Sequence, residues 1–102
     1  MKKIMLVCAA GMSTSLMVDK MKQAAESYDE LIEIFAMSEA EARKMMGQVD
    51  VIMLGPQVSY VLNDFTKKAL EFNVPVTLIQ AVDYGRMNGE KVLKDGLSLI
   101  EQ

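Results

Sequence analysis

The 102 residues are enough for one domain, residues 1–102, with one modest core; apolar residues at 51 % are too many for a disordered tail, and no apolar run approaches the ~20 residues of a membrane-spanning helix. Eleven basic and fourteen acidic residues leave a net charge of -3 with both signs scattered, which argues against a nucleic-acid groove or a polybasic membrane patch. One cysteine and no histidine exclude an internal disulfide, a redox cysteine pair and phosphohistidine chemistry on this chain, and deny zinc or a soft metal its ordinary ligands.

Met1-Lys2-Lys3 before an apolar stretch has the outline of a short signal sequence. The stretch is brief, however, and leads into loop residues and a strong helical pattern, so residues 3–8 read as a first strand and a cytoplasmic location follows. Being apolar almost throughout, this strand is expected to be covered on both faces. Residues 9–13 make a tight loop. Leu16, Met17, Met21, Ala24, Ala25 and Tyr28 then recur at helical spacing, with Ser13 or Thr14 as the cap. Residues 31–36 form a second strand, in which Ile32, Ile34 and Ala36 alternate with Glu33 and Phe35, a pattern suited to a position nearer the edge.

Ser38 with Glu41 makes a capping box for a short helix ending near Gly47. Residues 49–54 are the third strand, again nearly continuous in apolar character. Gly55-Pro56 turns into a third helix that buries Val58, Val61, Leu62, Phe65, Ala69 and Phe72 and is closed by Asn73. Residues 74–79 are the fourth strand; Pro75, lacking an N–H, belongs at its beginning. A loop over residues 80–88 precedes a last helix with Val92, Leu93, Leu97 and Ile100 inward. Met5, Met17, Met21, Met45, Met46 and Met53 fall at core positions, where a flexible thioether fills irregular gaps.

Strand and helix alternate throughout, with helices long enough for right-handed crossovers. The expected fold is α/β, a three-layer sandwich with a four-stranded parallel sheet between helices. The first and third strands are the most apolar, which favours the order 2-1-3-4. Ligands of such sheets bind beyond the C-terminal strand ends, where Cys8 and Gly55 both fall.

Cys8-Ala9-Ala10-Gly11-Met12-Ser13-Thr14-Ser15 joins the end of a buried strand to the start of a helix. Small residues let the backbone close around an anion, and Gly11 admits conformations denied to other residues. Successive N–H groups and the open amides of the first helical turn can cradle phosphate, with Ser13, Thr14 and Ser15 adding hydroxyl donors. The same positive end suits a nucleophilic thiol. A strand-end cysteine taken alone is more often a small buried hydrophobe; the loop around it tips the balance towards an anion site. The Gly-Lys-Ser/Thr nucleotide loop and the Rossmann glycine triplet are missing. A cysteine-dependent tyrosine phosphatase is nearer in arrangement and in fold, but its loop carries an arginine six positions after the cysteine, where this chain has Thr14. Without a bidentate guanidinium a hydrolase is handicapped, so holding and passing on a phosphoryl group is favoured over releasing it to water.

The sequence closely resembles the stand-alone IIB subunit of the bacterial sugar phosphotransferase system, lactose/cellobiose/chitobiose class. The resemblance rests on the Cys8–Leu16 segment, on Leu54-Gly55-Pro56-Gln57 and on Asp83-Tyr84-Gly85-Arg86-Met87-Asn88-Gly89. Asn88 stands where aspartate is associated with that last loop. The resemblance implies a protein-phosphocysteine–sugar phosphotransferase. Cys8 would accept phosphate from a phosphohistidine of the IIA partner and pass it to a sugar held by the membrane IIC component. Backbone N–H groups of Ala9, Ala10, Gly11, Met12, Ser13, Thr14 and Ser15 would hold the phosphoryl oxygens, and neither a metal nor another cofactor would be required. Gly55, Pro56, Gln57, Asp83 and Tyr84 are expected at the same rim, as loop support, wall or docking residues. Met12 and Leu16 could contribute an apolar docking face, although Leu16 is expected to pack inward with its helix. Rival readings are a non-covalent phosphate-sensing regulatory module and a degenerate cysteine phosphatase.

Overall fold

The computed structural model describes residues 1–9 and 13–100, with Ser13 and Thr14 as backbone only. Its strands are β1 (Lys2–Cys8), β2 (Ile32–Ser38), β3 (Val51–Leu54) and β4 (Val76–Leu78), and its helices are α1 (Ser13–Ala25), α2 (Glu39–Arg43), α3 (Leu62–Ala69), α4 (Ala81–Gly85) and α5 (Gly89–Ile100). The strands form one four-stranded sheet in the order β2-β1-β3-β4, and every neighbouring pair runs parallel. This is the expected three-layer arrangement, and it follows from the alternation of short apolar strands with crossover helices.

The pleat divides the core. Ile4 and Leu6 of β1 join Val51 and Met53 of β3 beneath Met17, Val18 and Met21 of α1 and Val92, Leu93 and Leu97 of α5. Met5 and Val7, one residue out of phase, join Ile52 and Leu54 beneath Ala42, Val58, Val61, Phe65 and Ala69 on the other face. Successive side chains of a strand point to opposite faces. The continuous apolar character of β1 and β3 is therefore two alternating cores written into one segment. Asp50, the polar residue ahead of β3, ties that strand to β1. Its carboxylate accepts from the Lys3 N–H at 2.8 Å, and its own N–H donates to the Lys3 carbonyl at 2.9 Å.

Four expectations are corrected. α2 stops at Arg43, and a separate 3-10 turn over Met46–Gln48 carries the chain to β3. Pro56–Val61 is 3-10 rather than α-helical, with Val58 at φ -118° and ψ 25°, so the α-helix proper begins at Leu62. Phe72 is 52 % exposed, although its ring lies against Gly47, where an added Cβ would stand 2.7 Å from it. The segment 80–88, expected as loop, contains α4. The Ser38 cap holds: its Oγ accepts from the Glu41 N–H at 3.3 Å and donates to the Glu41 carboxylate at 3.1 Å. Asn73, at φ 57°, ends the turn after α3 in the left-handed region.

Candidate functional site

In a parallel sheet all C-terminal strand ends share one rim. Cys8 closes β1, opposite Ser38 at the end of β2, and Val7 pairs with Leu54 at the end of β3. The ladder continues past the strands: the Gly55 N–H donates to the Val7 carbonyl at 2.9 Å and the Ile79 N–H to the Leu54 carbonyl at 2.8 Å. Gly55 is thereby fixed as the residue flanking the Cys8 end, and Pro56, half-buried, starts the 3-10 turn after it. Gln57 is exposed.

Cys8 has no solvent-exposed surface. By the pleat it shares a face with Ile4 and Leu6, the side covered by α1 and α5. Ala9 and Ser15 are exposed, and α1 starts at Ser13. Ala10, Gly11 and Met12, and the side chains of Ser13 and Thr14, lie outside the described residues, so the expected hydroxyl cap falls outside them too. α1 has no acidic residue in its first turn, whereas α2, α3, α4 and α5 each carry one or more there. The positive end of the α1 dipole is thus not neutralised by an acidic side chain of its own first turn, which favours an anion beside the end of β1.

The remaining predicted rim residues separate into two kinds. Leu16, expected inward, is 51 % exposed, because Met17, Val18 and Met21 take the core-facing arc of α1. Asp83 does not point freely at an anion: its carboxylate faces the Lys91 ammonium at 3.5 Å. Lys91 also meets Asp95 at 2.8 Å; the bond to Asp95, with a smaller contribution from Asp83, raises its pKa above the ordinary lysine value. Tyr84 is only 8 % exposed and packs in the α1–α5 half of the core, yet its hydroxyl is buried without a hydrogen-bond partner among the described residues. Ser38, expected from the sequence only as a helix cap, is also the β2 neighbour of Cys8. Its own capping box was the available signal, since a helix starting at the end of a parallel strand starts on this rim.

A thiol at the end of a central strand, followed by a helix whose first turn carries no acidic residue, suits an anion at this rim. The comparisons with known proteins bear on the class. The family model described as "PTS system, Lactose/Cellobiose specific IIB subunit" matches residues 3–95. The chain belongs to this family. It is 41 % identical over 100 residues to the oligo-beta-mannoside-specific EIIB component of Bacillus subtilis strain 168, covering 98 % of this chain and 97 % of that one. It is 46 % identical over 97 residues to the cellobiose-specific EIIB component of Lactococcus lactis subsp. lactis, covering 90 % of each chain.

Among solved structures, the cellobiose-specific IIB component from Borrelia burgdorferi superposes with a TM-score of 0.81 at 33 % identity, covering 98 % of this chain and 92 % of that one. The lactose-specific IIB domain from Streptococcus pneumoniae superposes with a TM-score of 0.85 at 17 % identity over 95 % of both chains, a likeness of fold. As a IIB family member, the protein is a phosphotransferase component of a sugar uptake system. No helix among the described residues is long and apolar enough to cross a membrane.

Proposed function

We propose that Cys8 is the phosphoryl carrier of this IIB protein, working in the cytoplasm between a phosphohistidine-bearing IIA protein and a sugar bound by a membrane IIC component. In the first step the Cys8 thiolate attacks the phosphorus, the S–P bond forms as the P–N bond breaks, and the bonding pair stays on the partner's imidazole. In the second, a sugar hydroxyl attacks the same phosphorus. The O–P bond forms as the S–P bond breaks, Cys8 returns as thiolate and the hydroxyl proton is released. The sugar is of cellobiose, chitobiose or lactose type. Phosphoryl transfer needs in-line positioning and electrostatic stabilisation more than acid–base groups. The N–H groups over residues 9–15 and the hydroxyls of Ser13, Thr14 and Ser15 supply the stabilisation.

The observation that carries this reading is the placement of Cys8 at the end of β1, just ahead of the α1 N-terminus that has no acidic first-turn residue. Leu16, exposed in the first turn of α1, suits the docking of a partner beside the Cys8 end of β1. Incubation with phosphorylated IIA, followed by intact-mass and acid/base-lability measurements, tests it. The expected result is one phosphoryl group with the lability of a thiophosphate ester on the wild-type chain and none on Cys8→Ser. Equal label on Cys8→Ser overturns the phosphocysteine. Reversible phosphate binding without label would favour a sensor, and phosphatase-like release from an aryl phosphate would favour a hydrolase.

A further inference from the structure

Tyr84 poses a problem that packing alone does not solve. More than nine-tenths of the residue is buried, in company with Leu6, Met17 and Leu93, and its hydroxyl has neither water-accessible surface nor a hydrogen-bond partner among the described residues. A phenylalanine would fill the same space without stranding a donor, and a buried polar group left unpaired destabilises the fold. Such a group in a native structure calls for an explanation. The segment around it is firmly held: the Tyr84 N–H donates to the Gln80 carbonyl at 3.0 Å, the Met87 N–H to the Tyr84 carbonyl at 3.1 Å, and the Asn88 N–H to the Asp83 carbonyl at 2.9 Å. The ring is therefore fixed by its backbone as well as by its neighbours.

Its place in the fold supplies the explanation. α4 opens three residues beyond the end of β4, and because the sheet is parallel that end lies on the same rim as Cys8, with β3 between β4 and β1. Tyr84 lies on the side of the sheet to which Ile4 and Leu6 point, and the pleat assigns Cys8 to that same side. Leu6 precedes Cys8 on this face, and Met17 lies in the opening turns of α1; both belong to the apolar cluster that holds Tyr84. Asp83, the one carboxylate next to Tyr84 in sequence, is engaged by Lys91. We infer that the Tyr84 hydroxyl is a reserved donor for the phosphoryl group on Cys8, unpaired at rest and satisfied when that group arrives. This rests on the phosphocysteine reading above and adds a side-chain donor from outside the Cys8 loop. A preorganised donor in a water-poor site needs no reorganisation at the moment of transfer, which is why one such bond weighs heavily on rate.

The test is Tyr84→Phe, which removes one oxygen and keeps the ring, compared with wild type and with Tyr28→Phe, which removes a hydroxyl from the same half of the core. Phosphoryl acceptance from phosphorylated IIA is followed by rapid quench. Tyr84→Phe is expected to lower kcat about 10-fold or more with KM for the donor unchanged, to shift the 31P resonance of the phosphoprotein and to raise the thermal midpoint of the unphosphorylated chain. Tyr28→Phe is expected to leave rates and resonance unchanged. A labelled wild type with unaltered rates and resonance in Tyr84→Phe overturns the reserved donor and leaves the phosphocysteine standing. A wild type that takes no label on Cys8 overturns both.

Discussion

At Gly89 the helix α5 lies tightly against α1 on the Cys8 side of the sheet. A Cβ there would lie 2.5 Å from the Lys20 carbonyl carbon and 2.7 Å from its oxygen. Those are backbone atoms in the middle of α1, which cannot swing aside as a side chain can. Gly89→Ala is therefore expected to force α5 away from α1 and destabilise the protein by about 1–3 kcal/mol, the usual cost of overpacking. Gly96, farther along the same helix, provides the contrast. Its added Cβ would meet the Met53 sulfur at 2.9 Å, and a thioether adapts readily. Alanine also gains roughly 0.5–1 kcal/mol over glycine in a helix, so Gly96→Ala is expected to be near neutral. Urea denaturation of both variants decides the point: equal losses would mean that the Lys20 backbone is not the obstacle.

Between elements, the clearest tie on the opposite face is Arg43. Its guanidinium joins α2 to α3, with Nη1 on Asp64 at 2.6 Å and Nη2 on Glu39 at 3.1 Å, and it lies 4.8 Å from the Phe65 ring centroid. The hydrogen bond from Arg43 holds the Asp64 carboxyl below its ordinary pKa. A carboxyl depressed on folding contributes stability above its unfolded pKa and loses that contribution as the pH falls through the folded value. Asp64→Asn is thus expected to lower the urea midpoint slightly at neutral pH, with the difference shrinking in acid and in high salt because the pair is exposed. A difference that persists unchanged in acid would show that charge is not its source. The same region marks the limits of the sequence pattern. Apolar positions continue past Arg43, but α2 ends there because the chain must extend at Val49 to set Asp50 against the Lys3 backbone. That long-range demand leaves no local trace. α4 was hidden for another reason: Ala81–Gly85 is too short to show a helical period. The strands, their order and the position of Cys8 were legible, because burial on two faces and a break into small residues are written locally. The burial of the Tyr84 hydroxyl and the exposure of Leu16 arise only when α4 and α1 meet their neighbours.

At the scale of the molecule, β1 decides whether the two halves of the core unfold together. It pairs with both β2 and β3 and gives Ile4 and Leu6 to one half and Met5 and Val7 to the other. Neither half can lose its helices without exposing a strand that the other half needs. Phe65 is fully buried on the α3 side, so Phe65→Ala is expected to cost about 3–5 kcal/mol. The informative measurement lies across the sheet. If unfolding is one cooperative event, the slowest-exchanging amides of α5 should lose protection by the same free energy as those of α3, although no α5 side chain belongs to the cluster around Phe65. Native-state hydrogen exchange on wild type and Phe65→Ala makes the comparison. Unchanged protection at Leu93 and Leu97 alongside a full loss in α3 would make the halves separate units joined by a strand. Shared loss would tie the rigidity of the Cys8 rim to packing on the face opposite Cys8, because β1 carries the thiol at its end and both cores along its length.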